Sequence, residues 1–553
     1  MNNFKKPFVY NKKPLKKLEK KEIININEHF MTVEYKNTIC SHSYLGKKGY
    51  TIPKSILSKE DLDELYKELY VKPVIMGVNY GANNDEANAF PVYRENSNKI
   101  YIPRFYGISR YGMPNKSEIQ QGDDISLDFV KPLRDYQENI INIYMDYVSK
   151  PICNGSQHNG SGGILEVPCG RGKTVMALKI ISLLKKKTLI IVHKEFLMNQ
   201  WIERINEFLP NATVGKIQGQ AFDVKGNDIV IGMVQTLYDK EYPADAFSCF
   251  GLTIIDEVHR IGSEQFSRTL FKTITPYMLG ISATVDRKDK LTRVLYMFIG
   301  DKIYNESRKN DDPVCVRAIQ YKTDDPVFNE TDLDFRGNPK YSSMIVKLCD
   351  YNRRSDFILK IIGDLIEEDP EKQIMVLCHN RSLLTYLYDG IEHRKIASVG
   401  YYVGGMKQAN LQLTETKQIV LATYAMAAEA LDIKTLSTLV MVTPKTDITQ
   451  SVGRILRVKH EKPIIVDIID RHDIFQNQWA QRKRFYKKSN YRIREIDSKK
   501  YANMMIDWEE DKTWKRVFEP KDNNSCVNGV DNEEKEQKTI FGGKCLINIS
   551  NLS

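Results

Sequence analysis

Ile164-Leu165-Glu166-Val167-Pro168-Cys169-Gly170-Arg171-Gly172-Lys173-Thr174 carries an apolar strand into a glycine turn that closes on Gly-Lys-Thr and opens an apolar-periodic helix. Strand, glycine turn and helix in that order make a phosphate grip. Gly170 and Gly172 can take backbone angles barred to other residues, so successive N–H groups converge on phosphate oxygens at a helix N-terminus. Lys173 supplies charge to the β- and γ-phosphates, and the Thr174 hydroxyl offers a ligand to Mg2+. Pro168, Cys169, Arg171 and Val175 complete the loop and its exit, and Val167 stands where the strict pattern has glycine. ATP with Mg2+ is the cofactor this loop predicts.

The other half of such a site follows downstream. Leu252-Thr253-Ile254-Ile255 reads as a buried parallel strand, with Asp256-Glu257-Val258-His259 at its carboxyl end. Open α/β sheets bind ligands outside the carboxyl ends of their strands, which places Asp256 near the same Mg2+ as Thr174 and Glu257 where it can orient a water. An Asp-Glu pair in that place can also be a plain helix N-cap. The phosphate loop upstream on its own strand favours the functional reading.

The chain has 553 residues, enough for three or four domains, and its 42% hydrophobic content fills several cores. No run of eighteen apolar residues occurs and the N-terminal residues lack the apolar stretch of a signal peptide, so a soluble, intracellular protein without membrane contact is expected. Nine cysteines with no Cys-x-x-Cys pair point to reduced thiols and away from a zinc or iron–sulfur centre.

The net charge of +10 is unevenly spread. Lys5, Lys6, Lys12, Lys13, Lys16, Lys17, Lys20 and Lys21 crowd an N-terminal arm. Arg482, Lys483, Arg484, Lys487, Lys488, Arg492 and Arg494 interleave with Trp479, Phe485, Tyr486 and Tyr491. Charge with aromatic rings suits nucleic acid, since phosphates are neutralised and bases stacked. A solvated arm and a snorkelling helix face are the competing readings.

Turn-rich breaks divide the chain into a basic flexible arm over 1–30, an α+β module over 31–125, an ATP-binding α/β domain over 126–310, a second α/β domain over 335–475, a basic helical extension over 476–520 and a disordered tail over 521–553. In the module, Ser58 to Asp61 reads as a capping box, and Phe90–Tyr93 with Lys99–Pro103 as a hairpin about Asn96-Ser97-Asn98. Leu189–Val192, Ile229–Ile231, Leu252–Ile255 and Met278–Ile281 predict the first parallel sheet, and Ile374–Leu377, Ile419–Ala422, Leu439–Val442 and Ile464–Val466 the second.

The second domain lacks a phosphate loop but carries Gln450-Ser451-Val452-Gly453-Arg454-Ile455-Leu456-Arg457. On a helix, Gln450, Arg454 and Arg457 share one face. Two guanidiniums there can clamp γ-phosphate charge from across a cleft as arginine fingers.

In this order and spacing the segments resemble a superfamily 2 DExH-box helicase over residues 130 to 470, which implies two tandem RecA-like domains. Arg134-Asp135-Tyr136-Gln137 is similar to the adenine-reading element, with Gln137 the implied contact. Gln200-Trp201 and Gln235-Thr236 resemble motifs Ia and Ib, and Ser282-Ala283-Thr284 resembles motif III, which couples hydrolysis to domain motion. Asp256 to His259 is the box itself, in which His259 is implied to link the ATP site to the second domain. Ala428 to Asp432 resembles motif V, with Ala430 in the usual glycine position, and Gln450 to Arg457 resembles motif VI. Within the superfamily the loop, together with Arg287-Lys288-Asp289, is similar to the XPB-type branch, where Glu usually occupies the place of Lys288. The short N-terminal module and Lys/Asn/Ile/Tyr-rich composition look most like helicases of large cytoplasmic DNA viruses, including the poxvirus transcript-release helicase.

The resemblance implies an ATP-dependent motor on DNA or RNA, monomeric, moving 3′ to 5′, in transcription, transcript release or repair, in a virion or host cytoplasm. A nucleic-acid-stimulated ATPase that remodels complexes without separating strands is the alternative.

Overall fold

The computed structural model describes residues 31–73, 89–150, 162–168, 170–258, 264–287, 289, 291–306, 313–429, 433–455, 460–504 and 512–520, without the side chains at 428, 429, 450 and 454. The basic arm, the C-terminal tail and most of the Cys153 to Gly163 loop therefore lie outside the described residues, as do Cys169, His259, Lys288, residues 430–432 and Arg457.

The first lobe is an eight-stranded sheet in the order Ala221–Phe222, Val214–Gln218, Ile229–Met233, Thr188–Val192, Leu252–Asp256, Tyr277–Ser282, Gly162–Glu166 and Lys302–Asn305. Only Ala221–Phe222 runs antiparallel to its neighbour. The central strands are continuous runs of Val, Ile and Leu because both faces are covered. Ile190 and Val192 turn to one face, against Met176 and Ile180, while Leu189 and Ile191 turn to the other, against Phe266 and Leu270. The strand before the phosphate loop and the strand ending in Asp256 are separated by Tyr277–Ser282 alone, with Asp256 beside Ile281 and Ser282 beside Glu166. Their three carboxyl ends thus meet on one edge.

The second lobe is also eight-stranded: Val399–Tyr402, Ile419–Thr423, Gln373–Cys378, Leu436–Met441, Ile464–Asp470, Cys315–Tyr321, Arg492–Asp497 and Lys515–Phe518. Two boundaries change here. Cys315–Tyr321 lies between Ile464–Asp470 and Arg492–Asp497, so the domain begins before 335. The described residues of 476–520 are not a separate helical extension but part of the same body: helix Asp473–Lys488 packs on the sheet, and the strands Arg492–Asp497 and Lys515–Phe518 complete it. The reason is burial of the aromatic residues. Trp479, Tyr486 and Tyr491 belong to the lobe's core, Arg482 pairs with Asp467 at 2.7 Å, and buried Arg494 pairs with Glu519. Much of the basic and aromatic cluster is therefore structural, leaving Arg484, Lys487 and Lys488 exposed on it.

In the module, helix Lys59–Leu69 starts where Ser58 accepts a hydrogen bond from the Asp61 N–H. The Asn96 turn joins Arg94–Glu95 to Lys99–Ile102, but Phe90–Pro91 pairs with Tyr70–Val71 rather than extending that hairpin. The module is not separate from the first lobe. Val71, Phe90 and Val92 share a core with Ile164 and Leu189, and buried Arg104 donates to the carbonyls of Thr275 (2.8 Å) and Pro276 (3.2 Å). Between the lobes, Phe196 packs against the cores of both.

Candidate active site

Gly170 and Gly172 both adopt left-handed backbone, with φ of 82° and 78°. A Cβ on Gly172 would lie 2.3 Å from Nε2 of Gln137, so only glycine fits. Helix Lys173–Leu184 starts directly after it, which leaves the first N–H groups of the helix for an anion. Gln137 is buried, and its amide is engaged at both ends. Oε1 accepts from the Arg134 N–H at 3.0 Å, and Nε2 donates to the Arg171 carbonyl at 3.2 Å. It braces the loop. The Arg171 guanidinium lies 3.6 Å above the Tyr136 ring and pairs with Glu306 at 2.5 Å.

At the far side of the site, Lys173 Nζ lies 4.0 Å from Glu257 Oε1. Glu257 has a φ of 51°, a left-handed conformation that costs a non-glycine residue about 1–2 kcal/mol and reverses the chain directly after Asp256. Asp256 is buried and accepts from Trp201 Nε1 at 2.9 Å. Burial, then the neighbouring Glu257 carboxylate, push the Asp256 carboxyl up to about 6, against the pull of the Trp201 hydrogen bond and the Lys173 charge. Ser282 Oγ stands 3.4 Å from Glu257 Oε2 and 2.6 Å from the Thr284 carbonyl, so the Ser-Ala-Thr segment touches the acidic pair.

The described residues thus bring together Gly170, Arg171, Gly172, Lys173, Thr174, Asp256 and Glu257 on one sheet edge, with Gln137 behind the loop and Pro168 and Val175 flanking it. Gln450 and Arg454 lie on helix Thr449–Ile455 of the second lobe, with side chains outside the description. The sequence reading places Trp201 in motif Ia without its tie to Asp256, and it assigns Glu166 no role in the site. Trp201 supplies the hydrogen bond to Asp256, and a buried indole N–H in need of an acceptor was the available signal. Glu166 ends the phosphate-loop strand, accepts from the Val285 N–H at 2.9 Å and pairs with Lys302 at 2.7 Å, tying that strand to the segment after Ser282.

Comparison with known proteins agrees with this geometry. Residues 131–287 match the family model described as type III restriction enzyme, res subunit. A protein of Acanthamoeba polyphaga mimivirus named as an ATP-dependent RNA helicase is 35% identical over 457 residues, covering 80% of this chain and 85% of that one. The chain belongs to the superfamily 2 helicases. An African swine fever virus protein, also named as an ATP-dependent RNA helicase, shares 27% identity with this helicase over 357 residues, covering 60% of the chain and 68% of the relative. A DNA 3′-5′ translocase, XPB2, of Sulfurisphaera tokodaii is 30% identical over 211 residues, covering 37% of the helicase and 44% of the translocase. The helicase is thus an ATP hydrolase dependent on nucleic acid, with relatives in large DNA viruses. Among the described residues, none of its helices is long and apolar enough to cross a membrane.

Proposed function

We propose that the protein couples ATP hydrolysis at the Lys173–Glu257 site to 3′-to-5′ movement along DNA or RNA, acting as a monomer in viral transcription, transcript release or repair, in the host cytoplasm or the virion. The observation that carries the reading is the Lys173 ammonium 4.0 Å from the Glu257 carboxylate, beside a buried acid at the end of the same strand. Lys173 and the N–H groups of the loop hold the phosphates. Thr174 and Asp256 would hold Mg2+, which neutralises charge between the β- and γ-phosphates. One hydroxyl and one carboxylate are hard oxygen donors of the kind Mg2+ takes, with phosphate oxygens and water completing its shell. Burial and the adjacent Glu257 carboxylate, which raise the Asp256 carboxyl, are effects that a bound cation would offset.

Glu257 orients the attacking water and draws off its proton, while Lys173 steadies the leaving phosphate charge. Gln450, Arg454 and Arg457 reach the γ-phosphate from the second lobe, and His259 and the Ser282 contact pass the change in Glu257 to the interdomain face. Gln137 reads adenine with the hydrogen-bonding capacity its two backbone contacts leave. Closing and opening of the lobes on a bound strand then ratchets it. Lys173→Ala and Glu257→Gln should each lower nucleic-acid-stimulated turnover by at least roughly a hundredfold with the fold intact. Wild-type turnover in either removes the assignment. Labelled duplexes of DNA and of RNA separate the modes: strand release with ATP marks unwinding, and hydrolysis without release marks remodelling.

A further inference from the structure

The chain between strand Leu436–Met441 and helix Thr449–Ile455 is held in an unusual way. Four consecutive backbone carbonyls each accept a hydrogen bond from a side chain on a different helix. Arg354 Nη2 donates to Val442 O at 2.8 Å, Tyr424 Oη to Thr443 O at 2.6 Å, Tyr341 Oη to Pro444 O at 3.2 Å and Arg482 Nη1 to Lys445 O at 2.9 Å. Both arginines are fully buried and fixed in turn by carboxylates of strand Ile464–Asp470: Arg354 by Asp470 at 2.7 Å and Arg482 by Asp467 at 2.7 Å. The Thr443 hydroxyl meets the His379 backbone N–H at 3.0 Å.

Residues 442–444 are buried, so their carbonyls need partners, and here side chains of separate helices supply them at the expense of burying two ion pairs, whose desolvation an apolar core would avoid. Such an arrangement fixes geometry rather than adding stability. What it fixes is the mount of the helix that carries Gln450 and Arg454. One of the four donors, Tyr424, opens helix Tyr424–Glu429, whose last two residues begin the Ala428 to Asp432 segment that resembles motif V, so a single hydroxyl joins that helix to the arginine mount.

We propose that Tyr424 and Arg482 are positioning residues for ATP hydrolysis, holding the 442–445 strap so that helix Thr449–Ile455 is set at the correct distance from the γ-phosphate. The inference rests on the site assignment made above for Lys173 and Arg454. Each acts through a backbone carbonyl, Thr443 O for Tyr424 and Lys445 O for Arg482. Because arginine contacts to the transferring phosphoryl group form mainly in the transition state, loosening the mount lowers turnover and leaves ground-state binding in place.

The test uses the full chain carrying Tyr424→Phe, which removes one hydroxyl, and Arg482→Lys, which keeps the charge facing Asp467 but loses the fork. With saturating nucleic acid, Tyr424→Phe should lower kcat roughly ten- to a hundredfold while KM for ATP stays within about twofold. Affinity for ADP–aluminium fluoride, a mimic of the phosphoryl group in flight, should fall by a similar factor and affinity for ADP should not. Arg482→Lys should show the same split. Wild-type turnover in folded Tyr424→Phe, or equal losses for ADP and its fluoroaluminate complex, overturns the proposal. Lys173→Ala runs alongside: its retention of wild-type turnover sinks the site assignment itself, a failure distinct from one confined to the strap variants.

Discussion

Replacing Asp256 with Asn should stabilise the nucleotide-free protein while destroying its activity. The carboxyl is raised from 3.8 to about 6, chiefly because it is buried and then because Glu257 lies next to it. The folded state therefore holds this proton more tightly than the unfolded chain, and stability falls as pH rises through that window. That rise in the carboxyl pKa corresponds to roughly 3 kcal/mol at pH 8, and to about half of that at pH 5, where the folded carboxyl is still largely protonated. Asparagine carries no charge and can keep an acceptor for Trp201 Nε1, so it removes the penalty without creating an unpaired indole. The assay is denaturation without nucleotide or divalent cation, read by tryptophan fluorescence. Of the four tryptophans, Trp201 belongs to the first lobe's core and sits on the acid itself. At pH 8 the variant's first-lobe transition should lie roughly 6–12 °C higher than wild type. The gain should shrink toward pH 5. A variant less stable than wild type at pH 8, or a gain that ignores pH, refutes the reasoning.

Gly172→Ala should lose both stability and ATP affinity, because the residue's φ of 78° disfavours any side chain and the new Cβ meets the Gln137 amide at 2.3 Å; adding Gln137→Ala should relieve only the clash. Nucleotide titration of the single and double variants checks this. Arg354→Ala leaves Asp470 buried without its partner and should cost about 3–5 kcal/mol in denaturant unfolding, whereas Arg354→Met with Asp470→Leu should recover most of that loss. Binding of single-stranded nucleic acid should weaken linearly in log–log plots against salt, with a slope of about −0.7 per phosphate contacted; an affinity independent of ionic strength contradicts a backbone-tracking motor.

The two halves of the phosphate site were readable because each is local. An apolar strand, a glycine turn and a helix start lie within eleven residues, and Leu252 to Glu257 repeats the logic of a buried strand with acids at its end. Partners distant in sequence were not. Trp201 and Asp256 stand 55 positions apart, and only the crossing of helix Glu195–Phe208 over the sheet unites them. Strand Cys315–Tyr321 was missed because Arg317 interrupts its apolar pattern and polar stretches flank it. In the fold Arg317 is buried against Glu368 at 2.6 Å, so the charge that disguised the strand is internal. Arg482 misled in the same way. A basic residue on a helix reads as surface until its carboxylate appears, and Asp467 lies on a strand that the helix covers.

The anchorage of Arg104 in the Thr275 and Pro276 carbonyls, together with the shared packing of Val71, Phe90 and Val92, has a mechanical outcome. Although it has a core of its own, the N-terminal module is cargo bolted to the ATP-gripping half of the motor. Any movement of that lobe carries the module with it. A version of the enzyme trimmed at residue 125 would uncover greasy flank where the fitting used to be.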